Sequence, residues 1–341
     1  MRRIQRLASG AVIALAASVM VTAQPAASLS VEGLLKDRLA IPADDINRFT
    51  SGAAVVWPIP GATGSEVAAA GAIRAKGDLR RITAWLRDIE AFMKATGTVN
   101  VGAIANPATA ADFARINLDD AHVGDLKSCR PGKCEIRMPP AFLERFQKEV
   151  TWTNADAQKQ AATLARLLIG EYVSAYQEGG DAALGAYHDA STAGQSVAEF
   201  QDMLRRSTKV WDINHPFASY LETFPAGAPA GADSRFYWTR DNVGRKPVLT
   251  LHHVVIQEHQ GGRIFVADKQ FYASRQFDAG LMIALGVPNA SFSSFDLVVS
   301  VKVRADAMSG VAGRLLRGRV EKEVRDGLAT YLEWLRDSAA L

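Results

Sequence analysis

The spacing of apolar positions changes several times along the chain, and the changes mark out its elements. After Asp78, a good N-cap, Leu79, Ile82, Leu86, Ile89 and Met93 recur at three- and four-residue steps as far as Gly97, which predicts an amphipathic helix. Around it the pattern is strand-like. Residues 53–57 are an apolar run closed by Pro58, residues 65–74 carry Val67, Ala69 and Ile73, and short apolar runs follow at 99–104 and 113–118. From 139 to 224 the period is helical throughout. Pro139-Pro140 opens a helix to about Val150, and Asn154 can cap a long one with Leu164, Leu168, Tyr172 and Tyr176 on one face. Ser196 to Glu199 then reads as a capping box, and 216–224 gives one or two further turns. The breaker-rich stretch 225–232 predicts a flexible loop.

Beyond residue 233 the strand pattern returns at 234–239, 247–258, 263–274 and 291–303, with separators rich in Gly and Asn, as in an antiparallel meander. The last of those separators contains Gly286-Val287-Pro288-Asn289 and reads as a loop. Asp306 then caps a C-terminal helix on which Val320, Val324, Leu328, Tyr331 and Leu335 form one stripe that should lie on the sheet. Gly310, Gly313 and Gly318 weaken its start, so its stable part is expected from about Arg314. The predicted organisation is a segment 1–23 to be removed, a first α+β part over 29–138, a helical insertion with its loop over 139–233, and a closing part over 234–341.

Charge sharpens this picture at the N-terminus. The chain has 39 Lys and Arg against 36 Asp and Glu, and Arg2, Arg3 and Arg6 account for the whole excess. Those arginines, the uncharged apolar run from Leu7 to Met20 and the small residues Val21-Thr22-Ala23 have the three-part form of a secretory signal peptide. The apolar core is short for a bilayer span. We therefore expect cleavage after Ala23, no stable transmembrane span in the mature protein, and an exported, periplasmic or extracellular location. In such a compartment Cys129 and Cys134, on either side of Arg130-Pro131-Gly132-Lys133, are expected to form a disulfide across a hairpin flanked by strands, its turn either the two residues Pro131-Gly132 or a bulged or wider loop.

The order of elements, strand, helix, strands, helical segment, strands and a long amphipathic C-terminal helix, resembles that of START-like, or helix-grip, domains. The resemblance covers roughly 66–138 and 234–337, with 139–224 as a large insertion. It implies an α+β fold in which an antiparallel sheet wraps a long C-terminal helix, with an apolar ligand held between them. The segments Asp125 to Cys134 and Lys269 to Ser274 also resemble a group of secreted bacterial proteins, which implies export and nothing about mechanism.

Candidate chemistry is sparse. There is no nucleophile elbow, phosphate loop, dinucleotide glycine pattern or zinc-protease helix, so no cofactor is called for. After residue 23 the chain has 36 bases and 36 acids and no long basic run, which argues against nucleic acid. His252, His253, Glu258 and His259 are close in sequence, but His252 and His253 point to opposite faces of one strand, so no metal site is expected. If Leu249, Leu251 and Val255 face a cavity, His253 faces it too. Tyr237, Trp238, Phe271, Tyr272 and Arg275 complete the candidate ligand-binding set. The leading expectation is a binding or carrier protein for a lipid or other hydrophobic small molecule. The alternatives are an exported enzyme using His253 as acid or base, and a cell-envelope interaction module acting through the helical insertion.

Overall fold

In the computed structural model, residues 30–59, 64–130, 132–186, 196–207, 213–243 and 246–340 are described; the predicted export segment lies outside them. Eight strands form one open antiparallel sheet: β1 (Val55–Pro58), β2 (Glu66–Lys76), β3 (Val101–Ile104), β4 (Ala232–Val243), β5 (Lys246–Glu258), β6 (Ile264–Ala273), β7 (Ala279–Pro288) and β8 (Ser294–Arg304). Their spatial order is β1-β2-β8-β7-β6-β5-β4-β3. The C-terminal strands are a simple meander. The N-terminal pair β1 and β2 adds to the far side of β8, and β3 closes the other edge on β4. The fold is thus α+β with an antiparallel sheet and a long C-terminal helix.

β7 replaces the loop expected around Gly286. It is central and covered on both faces, so Leu281, Ile283, Ala284 and Leu285 are all buried and give a continuous apolar run without the alternation that marks a half-exposed strand. Residues 113–118 contribute no strand: Phe113 ends a 3₁₀ turn, Ala110–Phe113, and 114–118 are turn and irregular backbone. The stretch 225–232 is built of tight turns, with Ala226 N–H donating to Thr223 O and Ala232 N–H to Pro229 O.

Helices cover both faces of the sheet. On one lie α2 (Leu79–Arg87), α3 (Ile89–Ala95) and the C-terminal helix α9 (Gly310–Ala339). On the other lie α1 (Ala43–Thr50), α4 (Asp120–Ser128), and, among the described residues of the predicted insertion, α5 (Pro140–Glu149), α6 (Ala157–Gly179), α7 (Ser196–Arg205) and α8 (His215–Thr223). Leu164, Leu168, Tyr172 and Tyr176 of α6 face the sheet, as their spacing predicts. The insertion is therefore a full third layer.

α9 starts at Gly310 and includes the glycines expected to weaken it. Gly313 is needed there, because a Cβ would lie 2.4 Å from the backbone carbon of Met308. Leu328, Leu332 and Leu335 are buried against the sheet, each worth about 1.5–3 kcal/mol on transfer from water. Leu332 sits where Gly71 of β2 leaves room, a Cβ at Gly71 lying 2.7 Å from its Cδ1.

Cys129 and Cys134 form a disulfide, and Arg130 and Lys133 exchange both backbone hydrogen bonds across the turn. Neither arm is a strand: the one before it is α4, because Asp119 caps a helix by accepting from His122 N–H, and residues 134–139 after it are irregular. Replacing both cysteines by serine should cost about 2 kcal/mol, the loop-closure entropy of so short a ring, as read from urea denaturation. Loss of folding altogether would contradict this.

Candidate functional site

Between the sheet and α9 runs a cleft of about 310 Å³. Its floor is Val254 of β5, Val266 and Asp268 of β6, Met282 of β7 and Val301 of β8. One wall is Leu86, Ile89, Phe92, Met93 and Thr96, from α2, α3 and the turn after them. The other is Glu323, Val324, Gly327, Leu328 and Tyr331 of α9. Period-2 alternation brings the floor residues to one face, and i, i+3, i+4 spacing brings the α9 residues to the other. Glu323 and Gly327 are exposed and mark the mouth. The lining is apolar apart from Thr96, Asp268, Glu323 and the Tyr331 hydroxyl, and no cationic side chain lines it among the described residues.

Asp268 belongs to a polar row on this face. Its Oδ2 accepts from Tyr237 OH at 2.5 Å and its Oδ1 is 2.9 Å from His252 Nδ1. His252 Nε2 is 2.9 Å from Thr250 Oγ1, which is 2.8 Å from Thr239 Oγ1. The His252 ring stacks on Tyr237 at 4.5 Å between centroids. One consistent proton arrangement runs through the row: Thr239 donates to Thr250, Thr250 to His252, and His252 and Tyr237 to Asp268. Burial, then the charge of Asp268, pushes both the Tyr237 and Tyr331 hydroxyls above the usual phenol range. Both phenols are therefore neutral donors at ordinary pH.

The opposite face carries a second, sealed network. His253 is 1% exposed, its Nδ1 3.0 Å from Tyr176 OH and its Nε2 3.0 Å from Ser234 Oγ. Ser234 Oγ is in turn 3.2 Å from Tyr220 OH. Beside them Lys269 Nζ donates to Asp181 Oδ1 at 2.5 Å and lies 4.1 Å from the centre of the Phe200 ring. Burial pushes the Lys269 pKa down while Asp181 pulls it back up. Burial, then the positive charge of Lys269, holds the His253 pKa far below its usual value.

These shifts set an acid sensitivity. His253 stays neutral in the fold but takes up a proton near pH 6.5 when unfolded, so its contribution is complete above that pH and is lost as pH falls. His122, depressed mainly by burial, acts in the same direction. Glu199 opposes them, since burial and then Asp278 raise its pKa to about 7, so stability is gained as pH falls from about 7 toward 4.5. Glu199→Gln should therefore stabilise the protein by on the order of 1 kcal/mol at pH 8 and steepen its loss of stability below pH 6. Melting curves at pH 8 and pH 5.5 check this, and a variant less stable at pH 8 would refute it.

The six candidate ligand-binding residues divide between the two faces. Tyr237 faces the cleft side through Asp268. His253, expected in the cavity under the C-terminal helix, faces the insertion instead, with Trp238, Phe271 and Tyr272. Trp238 Nε1 donates to Asp112 O at 2.9 Å, and Phe271 stacks on Tyr176 at 4.0 Å. Simple alternation puts Phe271 and Tyr272 on different faces. The pairing slips between Leu251 and His252, so that Leu251 faces Tyr272 and His252 faces Gln270, and both aromatic rings reach the insertion side. Tyr272, with Leu249, Leu251 and His122, lines a cavity there of only about 60 Å³, far below the size of a ligand site. Arg275 ties the cystine loop to the sheet, with Nη2 2.6 Å from Asp125 Oδ2 and Nη1 3.3 Å from Glu135 Oε2.

The cleft residues Met282, Val301 and Gly327 and the His252 row were not expected from the sequence, whereas the stripe after Asp78 already held Leu86, Ile89 and Met93. The α9 stripe already pointed to Val324, Leu328 and Tyr331. Thr250, His252 and Asp268 could have been found from the alternation that set His252 opposite His253. Among the described residues no group of His, Cys, Asp and Glu is placed to hold a metal ion, and no helix is long and apolar enough to cross a membrane. Comparison with protein-family models, with curated proteins and with solved structures finds no match to this chain.

Proposed function

We propose that the protein is an exported binding or carrier protein that holds a lipid or other hydrophobic small molecule in the cleft between the sheet and α9. The cleft carries this reading. At about 310 Å³ it reaches the lower end of the range for small-molecule sites, its lining is apolar, and a few polar groups stand at defined points. It also lies between sheet and C-terminal helix, where the helix-grip resemblance implies a ligand. Both oxygens of Asp268 are already engaged and the one other charged lining group, Glu323, is acidic. That lining favours a neutral amphiphile over a free carboxylate. An environment-sensitive apolar dye bound to the protein should be displaced by a long-chain alkanol at lower concentration than by the fatty acid of equal length. No dye binding, or the reverse order, would count against the proposal.

Export rests on the signal-like segment and agrees with the disulfide. Mass spectrometry of the protein recovered from the producing cell should find a chain beginning at Gln24. Recovery of the intact chain from Met1 in the cytoplasm would contradict it.

A second reading is hydrolysis of an ester of the same ligand class. It is favoured by the Thr250–His252–Asp268 row, whose hydroxyl, imidazole and carboxylate stand in the order that activates an alcohol nucleophile. The enzyme alternative thus shifts from His253, which is sealed, to His252. Turnover of a long-chain aryl ester that survives in His253→Ala but not in His252→Ala would support it; no turnover by the parent protein would end it.

A further inference from the structure

The first turns of α9 expose an apolar pair among cations. Val311 is 81% and Leu315 87% exposed, one turn apart on the same side, and Leu316 beside them is 42% exposed. From 307 to 320 the chain has Arg314, Arg317 and Arg319 and no acidic residue. None of the three arginines forms an ion pair among the described residues. Elsewhere among the described residues the exposed large apolar side chains, Val99 at 82% and Leu167 at 51%, stand singly in the sequence. Even the insertion, expected to offer an interaction surface, shows only Leu167 among the described residues.

We propose that this end of α9 docks onto an anionic lipid bilayer surface. The exposed guanidinium groups of Arg314 and Arg319, on either side of the apolar pair, complement lipid phosphates, and Val311 and Leu315 are placed to enter the boundary between headgroups and acyl chains. A nucleic acid would reward the arginines but leave the apolar pair unused. A second copy of the chain meeting this face about a two-fold axis would set Arg314 and Arg319 against the same cations. Each arginine near such a surface is worth about fivefold in affinity at moderate salt, and Leu315 adds its own apolar burial. The docking turn also leads into the cleft: Glu323 at its mouth is eight residues on from Leu315, about 12 Å along the helix axis. The surface stands whether or not the cleft holds a ligand. If both operate, the mouth is held close to the bilayer from which a hydrophobic molecule would come.

The test is vesicle flotation of the protein as the producing cell releases it. The parent protein should float with phosphatidylcholine vesicles containing phosphatidylglycerol, stay behind with phosphatidylcholine alone, and be released by high salt. Leu315→Asp, and separately the double change Arg314→Gln with Arg319→Gln, should each weaken flotation by about tenfold or more. Because these side chains face outward, melting temperature and dye binding by the cleft should not change, which separates failure of docking from failure of the ligand reading. Equal flotation of parent and Leu315→Asp would overturn the proposal. So would absence of parent flotation, or a dimer lost in Leu315→Asp, which would assign the surface to self-association.

Discussion

Gly327→Phe should lower the affinity for an apolar ligand by more than about tenfold while leaving the melting temperature unchanged or slightly raised. Gly327 lines the cleft on α9, and a Cβ built there meets no other atom within 4 Å. A phenyl ring at this position has open space to enter, and that space is the proposed ligand site. Phenylalanine also suits a helix better than glycine by roughly 0.5 kcal/mol, so loss of binding would not reflect loss of fold. Titration of the apolar dye measures the first effect and a thermal melt the second. Undiminished binding in the variant would place the ligand elsewhere.

The largest expected effect on stability lies on the opposite face. Asp181→Ala should destabilise the protein by about 3–5 kcal/mol, because it strands the ammonium of Lys269, 2% exposed beneath the insertion, without its partner. Replacing both residues by apolar ones of similar size, as in Asp181→Leu with Lys269→Met, should recover most of that loss, since the pair itself contributes little net stability. Urea denaturation of the two variants decides the matter. A cost below about 1 kcal/mol for Asp181→Ala would mean that Lys269 has another route to solvent or to a partner.

Sequence reading went furthest where periodicity and burial agree. Leu79, Ile82, Leu86 and Ile89 lie on one side of the sheet as their spacing predicts, and so do Leu328 and Leu335. The α6 face from Leu164 to Tyr176 points at the sheet for the same reason. The single helix expected from Asp78 to Gly97 is broken at Asp88, which leaves helical geometry and caps α3 by accepting from Ala91 N–H. Two features escaped because they depend on partners distant in sequence. β7 is covered on both faces, so its pattern does not alternate. The bulge at Phe271 reverses the phase of β6 and carries Tyr272 to the insertion side.

The candidate site was half legible for a related reason. Alternation correctly separates His252 from His253 but does not say which layer covers which face. Once the insertion covers the His253 side, that histidine becomes a buried link between Tyr176 and Ser234. Asp268, Tyr237 and the open cleft fall to the α9 side. The cleft is open because α3 and α9 stand apart above Val254, Val266, Met282 and Val301, a separation that no local pattern encodes.

Methionine positions make the central claim directly measurable. Met93 and Met282 line the cleft, whereas Met138 lines the small cavity under the insertion and Met203 is buried in that layer. In a protein carrying ¹³C-methyl methionine, titration with a long-chain alkanol should shift the Met93 and Met282 methyl resonances saturably and leave Met138 and Met203 in place. Shifts at Met138 and Met203 with Met93 and Met282 unmoved, or no saturable shift at any of the four, would contradict a ligand site between the sheet and α9.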